Sequence, residues 1–152
     1  MNLELKVPPP VQVLIFGFLM WVVDKRFPIW QIDLSFKLPL AIFFVVAAVA
    51  LVVTAMLTFR RASTTVDPFR PEEASELVVH GVFSYSRNPM YISLLLILTG
   101  WTIWLGSPVN IILLIFFVTC ITAYQIKPEE KALSALFGEA YEDYRSKVRR
   151  WV

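Results

Sequence analysis

The sequence predicts an all-α integral membrane protein with about four transmembrane helices. Hydrophobic residues make up 57% of its 152 residues, charged residues make up 17%, and the mean hydropathy is +0.64. Soluble domains rarely combine such values. Residues 88–126 contain no charge and are interrupted only by the turn-like Gly106-Ser107-Pro108. Because lipid offers no partner to unpaired backbone groups, we expect the spans to be helices that form a single domain over residues 1–152.

The first two spans are predicted at residues 10–23 and 38–59. The first lies between Lys6 and the charged run that begins at Asp24, and it is short for the roughly 17 to 25 residues that a spanning helix needs. The second has no charge and is ended by Arg60 and Arg61. Residues 62–86 are polar and predict a loop outside the membrane.

A helical hairpin and an amphipathic tail complete the prediction. The hairpin has spans at residues 89–105 and 108–126, and the tail covers residues 128–148 with a break at Gly138. Apolar tail residues recur at three- and four-residue spacings, as on one face of a helix. Prolines stand where we expect helices to start, since their missing N–H costs nothing there. These are Pro10, Pro39, Pro89, Pro108 and Pro128.

The distribution of basic residues predicts the orientation. With four spans, eleven Lys and Arg residues lie on the side of both termini and of the 62–86 loop, and three lie on the other side. The three are Lys25, Arg26 and Lys37. Since cytoplasmic loops carry the excess of basic residues, both termini and the mouth of the hairpin are expected to be cytoplasmic.

The hairpin predicts a polar patch at the cytoplasmic face. Two antiparallel helices of similar length return Glu129 and Glu130 to the membrane face at which Arg87 enters, beside Asn88 and Tyr91. Each residue also has a structural explanation: a positive-inside anchor, a helix N-cap, an interfacial aromatic, and acids in the first turn of a helix. Their convergence on one patch favours a binding site.

The chemistry of this patch suits a polar, positively charged ligand beside a lipid. Carboxylates accept hydrogen bonds from ribose hydroxyls and attract a sulfonium cation, and the rings of Phe83, Tyr85 and Tyr91 add cation–π attraction. His80 is the only histidine, and neither a metal motif nor a glycine-rich nucleotide loop occurs. We therefore expect no metal and no nucleic acid partner. The single Cys120 is expected to be a small buried side chain.

Four stretches of the chain carry a resemblance to a known family. They are Leu77-Val78-Val79-His80-Gly81-Val82-Phe83, Ser86-Arg87-Asn88-Pro89-Met90-Tyr91, Glu129-Glu130, and Phe137-Gly138-Glu139-Ala140-Tyr141-Glu142-Asp143-Tyr144. Together with the uncharged hairpin they resemble the isoprenylcysteine carboxyl methyltransferase family and its bacterial relatives. Membrane phospholipid methyltransferases and sterol reductases share parts of the pattern, so the resemblance is less specific for the substrate.

The resemblance implies S-adenosylmethionine as cofactor, bound on the cytoplasmic side, and a lipophilic or lipidated acceptor that arrives through the membrane. The implied cofactor-binding residues are Ser75, Glu76, Leu77, Val78, Phe83, Asn88, Pro89, Met90, Tyr91 and Glu129. Arg87 and Glu130 are the candidate catalytic residues, and Gln125 stands at the position of a substrate-binding arginine. The chain departs from the family pattern at Gln125, at Asn88 (usually histidine) and at Phe83 (usually tyrosine).

The acceptor stays open at this point. Because Gln125 lacks the charge and the paired donors of an arginine, methylation of a prenylcysteine carboxylate is less firmly implied than methyl transfer itself. The alternatives are a phospholipid N-methyltransferase, a thiol methyltransferase, a reductase that uses a nicotinamide cofactor, and a membrane protein without catalytic activity.

Overall fold

The computed structural model describes residues 7–28, 31–32, 35–61 and 76–152, and it is a bundle of helices. The helices are α1 (Pro9–Arg26), α2 (Lys37–Arg61), α3 (Pro89–Leu105), α4 (Asn110–Ile121), α5 (Lys127–Phe137) and α6 (Glu139–Lys147). A 3₁₀ turn over Gly81–Ser84 precedes α3, and a π-helical turn over Thr122–Ile126 joins α4 to α5. The described residues contain no strand, which confirms the all-α prediction.

The helix bounds follow the predicted spans closely for α2 and α3, and less closely for α1. Helix α1 begins one residue early and continues through Asp24, Lys25 and Arg26. Asp24 is buried, and its carboxylate accepts a hydrogen bond of 3.0 Å from Gln31. Two helices, α2 and the continuous helix Asn110–Phe137, are long and apolar enough to cross a membrane, and α3 is a shorter apolar helix. The count of four spans stays a prediction.

Helix α3 lies at the centre of the bundle, with α2 along one side and α1 and α4 along the other. Helix α2 turns a row of small residues, Ala41, Ala48 and Ala55, toward the interior. Near the first of these, a Cβ on Gly100 would lie 3.1 Å from the Ala41 carbonyl oxygen. Small residues at such a contact let two apolar helices approach closely, which is the common way of packing helices in membranes.

Helices α1, α2, α3 and the continuous helix Asn110–Phe137 alternate in direction, so their ends meet in two layers. Pro9 at the start of α1, Phe59 near the end of α2, Pro89 at the start of α3 and Glu129 in the first turn of α5 all line one cavity. At the opposite end the Ile32 amide donates to the Gly106 carbonyl at 2.7 Å. Gly106 has φ +71° and a Cβ there would meet the Ile32 oxygen at 2.8 Å, so this turn requires glycine.

Pro128 lies in the first turn of α5, as predicted, but α5 is not a separate helix, because the helix is continuous from Asn110 to Phe137. The π-helical turn explains why proline is tolerated there. In it the Lys127 amide donates to the Thr122 carbonyl, one residue further back than in an α-helix, so the hydrogen-bond pattern is already shifted where Pro128 lacks its N–H. The predicted break at Gly138 is confirmed, since Gly138 has φ +53° and separates α5 from α6.

Cys120 is half-buried on α4 rather than fully enclosed. Residues 62–75, which hold most of the predicted polar loop, lie outside the described residues.

Candidate functional site

A cavity of about 340 Å³ lies at the end of the bundle where α1 begins and α2 ends. The start of α3, residues 76–78, α5 and α6 complete its wall. Its size falls in the range of small-molecule and cofactor pockets, roughly 300 to 1,000 Å³. All the predicted site residues line this cavity except three: Ser75, which lies outside the described residues, Gln125, and Tyr85, whose side chain is exposed.

Glu129 forms one polar corner of the cavity. Its Oε1 accepts a hydrogen bond of 2.5 Å from the Tyr91 hydroxyl and one of 3.1 Å from the Gln125 amide. Gln125 is 1% exposed and belongs to the π-helical turn, one helical turn before Glu129. The carboxylate is thus fixed by two neutral donors, and no cation neutralises it among the contacts of the described residues.

Glu130 forms the other polar corner, between two arginines. Its Oε1 lies 3.0 Å from Arg87 Nη1 and 2.9 Å from Arg150 Nε, and its Oε2 lies 2.7 Å from Arg150 Nη2. Arg87 and Glu130 are only 8% and 12% exposed, whereas Arg150 is 32% exposed. This contact confirms the prediction that the hairpin returns the carboxylates to Arg87.

The Arg87–Glu130–Arg150 cluster carries one positive charge in excess, because two guanidinium groups share one carboxylate. Arg87 Nη1 also donates to the Tyr141 hydroxyl at 3.3 Å. Its Nε–H is buried and has no hydrogen-bond partner among the described residues. A buried donor without a partner is costly in a protein that binds nothing. The Nε–H of Arg87 can therefore donate a hydrogen bond to a ligand.

Helix α6 covers the cavity with two tyrosines. Tyr141 and Tyr144 are buried, and the Tyr144 hydroxyl donates to the Phe83 carbonyl at 2.7 Å. Burial raises the pKa of both phenols, and for Tyr141 the Glu130 carboxylate adds to the rise while Arg87 opposes it. Both side chains therefore stay neutral at physiological pH and act as hydrogen-bonding walls.

Asn88 occupies the N-cap position of helix α3, as predicted, but its side chain does not do the capping. Its side chain makes no capping hydrogen bond, and its Nδ2 instead donates to the Arg150 carbonyl at 2.9 Å. The Ser86 hydroxyl accepts a hydrogen bond of 3.1 Å from the backbone N–H of Asn88, in the turn that precedes the helix. Pro89 begins α3, as predicted. The side-chain amide of Asn88 therefore takes no part in capping α3. It is oriented instead by its hydrogen bond to Arg150.

Sequence reasoning missed the part of the site that residues far along the chain provide. Tyr141 and Tyr144 were visible in the Tyr-x-x-Tyr motif, but nothing local indicated that they line the cavity. Arg150 carried no signal beyond its charge. Gln125, predicted to contact substrate, is not among the residues that line the cavity and instead contacts Glu129.

The cavity has two chemical halves. Carboxylates, an arginine and an asparagine line the half near α5, whereas Pro9, Pro10, Val52, Met56 and Leu94 line the half between α1 and α2. Helices α1 and α2 both pack on α3 and share little contact with each other. The fold and site therefore define an apolar helical protein whose cavity holds polar and lipophilic groups side by side.

Comparisons with known proteins assign the chain to a family. The family model described as phospholipid methyltransferase matches residues 36–140, more than half of the chain. The chain belongs to the phospholipid methyltransferase family, which is membrane-associated. The resemblance to the isoprenylcysteine carboxyl methyltransferases is confirmed by relatives that bear this name. No solved structure matches the chain significantly.

Three relatives show how the similarity is distributed. An uncharacterized protein of Haemophilus influenzae is 48% identical over 63 residues, 41% of this chain and 100% of that protein. Protein-S-isoprenylcysteine O-methyltransferase B of Arabidopsis thaliana is 33% identical over 95 residues, 62% of this chain and 48% of that protein. The Saccharomyces cerevisiae protein-S-isoprenylcysteine O-methyltransferase is 32% identical over 79 residues, which are 52% of this chain and 33% of that protein. This chain thus spans about half or less of these methyltransferases.

Proposed function

We propose that the protein is an S-adenosylmethionine-dependent membrane methyltransferase that acts on a lipophilic acceptor. The observation that carries the proposal is that one cavity combines a polar half and an apolar half. A charged, water-soluble cofactor needs polar surroundings and a lipid needs apolar ones. The two can react only where such surroundings adjoin. The family and the named relatives support the same reaction class.

The residues of the polar half fit this cofactor. Glu129 presents a fixed carboxylate that suits ribose hydroxyls, and Phe83 and Tyr91 offer aromatic rings to a sulfonium cation. Residues 76–78 supply backbone groups, and Asn88, Pro89 and Met90 form the adjoining wall. When bound, S-adenosylmethionine supplies a methyl group activated by the sulfonium sulfur. Gln125 contributes by holding Glu129 in place.

Catalysis in this proposal is chiefly positioning in a site with little water. Glu129, Asn88 and Tyr91 would hold S-adenosylmethionine, which would supply an electrophilic methyl group to the acceptor heteroatom and leave as a neutral thioether. Arg87 orients the acceptor through its buried Nε–H, and Glu130 fixes Arg87. The tyrosines of α6 and the helices around the cavity exclude water. Correct orientation of two reactants by itself accounts for several kcal/mol of a barrier, up to roughly 7 to 11.

The acceptor enters from the apolar half, between α1 and α2. Two classes have specific support: an isoprenylated cysteine, from the names of the relatives, and a phospholipid, from the description of the family. Methyl transfer from radiolabelled S-adenosylmethionine to a prenylcysteine analogue and to phosphatidylethanolamine separates them. Product on only one acceptor assigns the class.

Cofactor binding is the direct test of the proposal. We expect isothermal titration of the purified chain in detergent to show saturable binding of S-adenosylmethionine and none of NADPH, since the described cavity contains a single arginine for phosphate groups. Binding of NADPH without S-adenosylmethionine would replace the methyltransferase with a reductase.

The four-span arrangement with a cytoplasmic site is also part of the proposal. In a Cys120→Ala background, we expect Lys25→Cys to react with a membrane-impermeant maleimide on intact cells. Glu139→Cys should react only after the cells are permeabilised, because three spans separate the two positions. Both positions are exposed in the structure, so access does not limit labelling. Labelling of both from one side would mean an even number of spans between them and would contradict this topology.

A further inference from the structure

Residues 148–152, which we call the strap, run from the end of α6 across the start of α3. The Arg149 carbonyl accepts a hydrogen bond of 3.0 Å from the Arg87 amide. The Arg150 carbonyl accepts two side-chain hydrogen bonds, from Asn88 Nδ2 at 2.9 Å and from the Ser86 hydroxyl at 3.3 Å. The strap therefore satisfies the polar groups of the turn that carries the site residues into α3.

The side chain of Arg150 attaches the strap to Glu130. Its guanidinium contacts both oxygens of Glu130, at 2.9 and 2.7 Å, and these hydrogen bonds raise the pKa of Arg150. A guanidinium and a carboxylate paired in this two-point manner fix each other's orientation, which a single contact does not. Arg87 reaches Glu130 through one nitrogen only. The direction in which Glu130 points is thus set mainly by Arg150.

The strap is itself anchored in the bundle. Trp151 packs against the buried core cluster that contains Met20, Leu98 and Phe117. Val152, the next residue, is 82% exposed and adds little to this anchoring. Because Trp151 directly follows Arg150, the Trp151 contact fixes the backbone from which the Arg150 carbonyl and guanidinium are presented.

We propose that Arg150 is a positioning residue for the methyl-transfer site. Arg150 is not among the residues that line the cavity. It acts through three residues that do line it: through Glu130 and Arg87 by its guanidinium, and through Asn88 by its carbonyl. The inference rests on the proposed function, since the site it positions is the proposed cofactor and acceptor site.

The test compares Arg150→Gln and Arg150→Lys with Arg145→Gln as matched control. Arg145 has the same charge and lies in the last turn of α6, but its contact with Glu142 is exposed and it does not line the cavity. We expect Arg150→Gln to weaken S-adenosylmethionine binding about tenfold, as the loss of a charged hydrogen bond does. Arg150→Lys, which keeps the charge and one contact, should restore part of this loss. Arg145→Gln should bind as the parent protein does.

Amide hydrogen exchange separates this inference from the proposed function. In Arg150→Gln we expect the Arg87 amide, which is bonded to the strap, to exchange about tenfold faster or more while the interior of α3 is unchanged. If exchange at Arg87 is faster in Arg150→Gln but the parent protein does not bind S-adenosylmethionine, the proposed function is refuted. The role of the strap in ordering the start of α3 then still stands. Unchanged exchange at Arg87, or faster exchange throughout the chain, would overturn the positioning role.

Discussion

Replacement of Glu129 by glutamine is expected to weaken S-adenosylmethionine binding by about tenfold or more while leaving thermal unfolding nearly unchanged. The carboxylate is held toward the cavity by Tyr91 and Gln125, and no cation shares it among the described contacts. Loss of a charged hydrogen-bond acceptor costs about 1.5 to 3 kcal/mol. The glutamine keeps the size of the side chain and still accepts from the tyrosine, so the fold retains its packing.

Calorimetric titration of the parent protein and the variant measures this effect. Glu139→Gln is the matched control, because Glu139 is an exposed acid at the start of α6 and does not line the cavity. The control should bind like the parent. Equal affinity in Glu129→Gln and the parent would remove Glu129 from the cofactor site and with it the main polar contact of the proposal.

Replacement of Glu130 by glutamine should both destabilise the protein and abolish methyl transfer. The change leaves the guanidinium of Arg87, which is 8% exposed, beside Arg150 without a compensating charge. Breaking a buried ion pair by removing one partner costs about 3 to 5 kcal/mol. For a chain of this size that lowers the melting temperature by roughly 10 °C. Activity falls as well, since Arg87 then loses the group that orients it.

A double-mutant cycle tests whether the isolated buried charge of Arg87 causes the loss of stability in Glu130→Gln. In Glu130→Gln with Arg87→Gln, no isolated buried charge remains, so we expect the pair to be less destabilised than the sum of the two single variants. Glu142→Gln breaks an exposed ion pair with Arg145 and serves as the control, with a cost of about 1 kcal/mol or less. A Glu130→Gln variant as stable as this control would show that the buried cluster contributes nothing to folding.

The sequence by itself determined the helices and the end of the bundle at which the site lies. Hydropathy and charge are local properties, and a helix ends where a charge, a proline or a glycine ends its apolar run. The predicted bounds of α3 therefore agree with the structure residue for residue. The uncharged hairpin also implied that Arg87 meets the Glu129-Glu130 pair, because two antiparallel helices of similar length bring their outer ends together.

Only the tertiary structure decided the partners of the site residues. Asn88 bonds to Arg150 at a separation of 62 residues, and Glu130 is shared by arginines on both sides of it in the chain. The chain has 14 Lys and Arg residues, and the Arg150 that pairs with Glu130 directly precedes Trp151, which packs against the core. The π-helical turn that carries Gln125 behind Glu129 was equally invisible, because hydropathy does not distinguish it from an α-helix. Such choices depend on which distant surfaces pack together, and no local pattern records that.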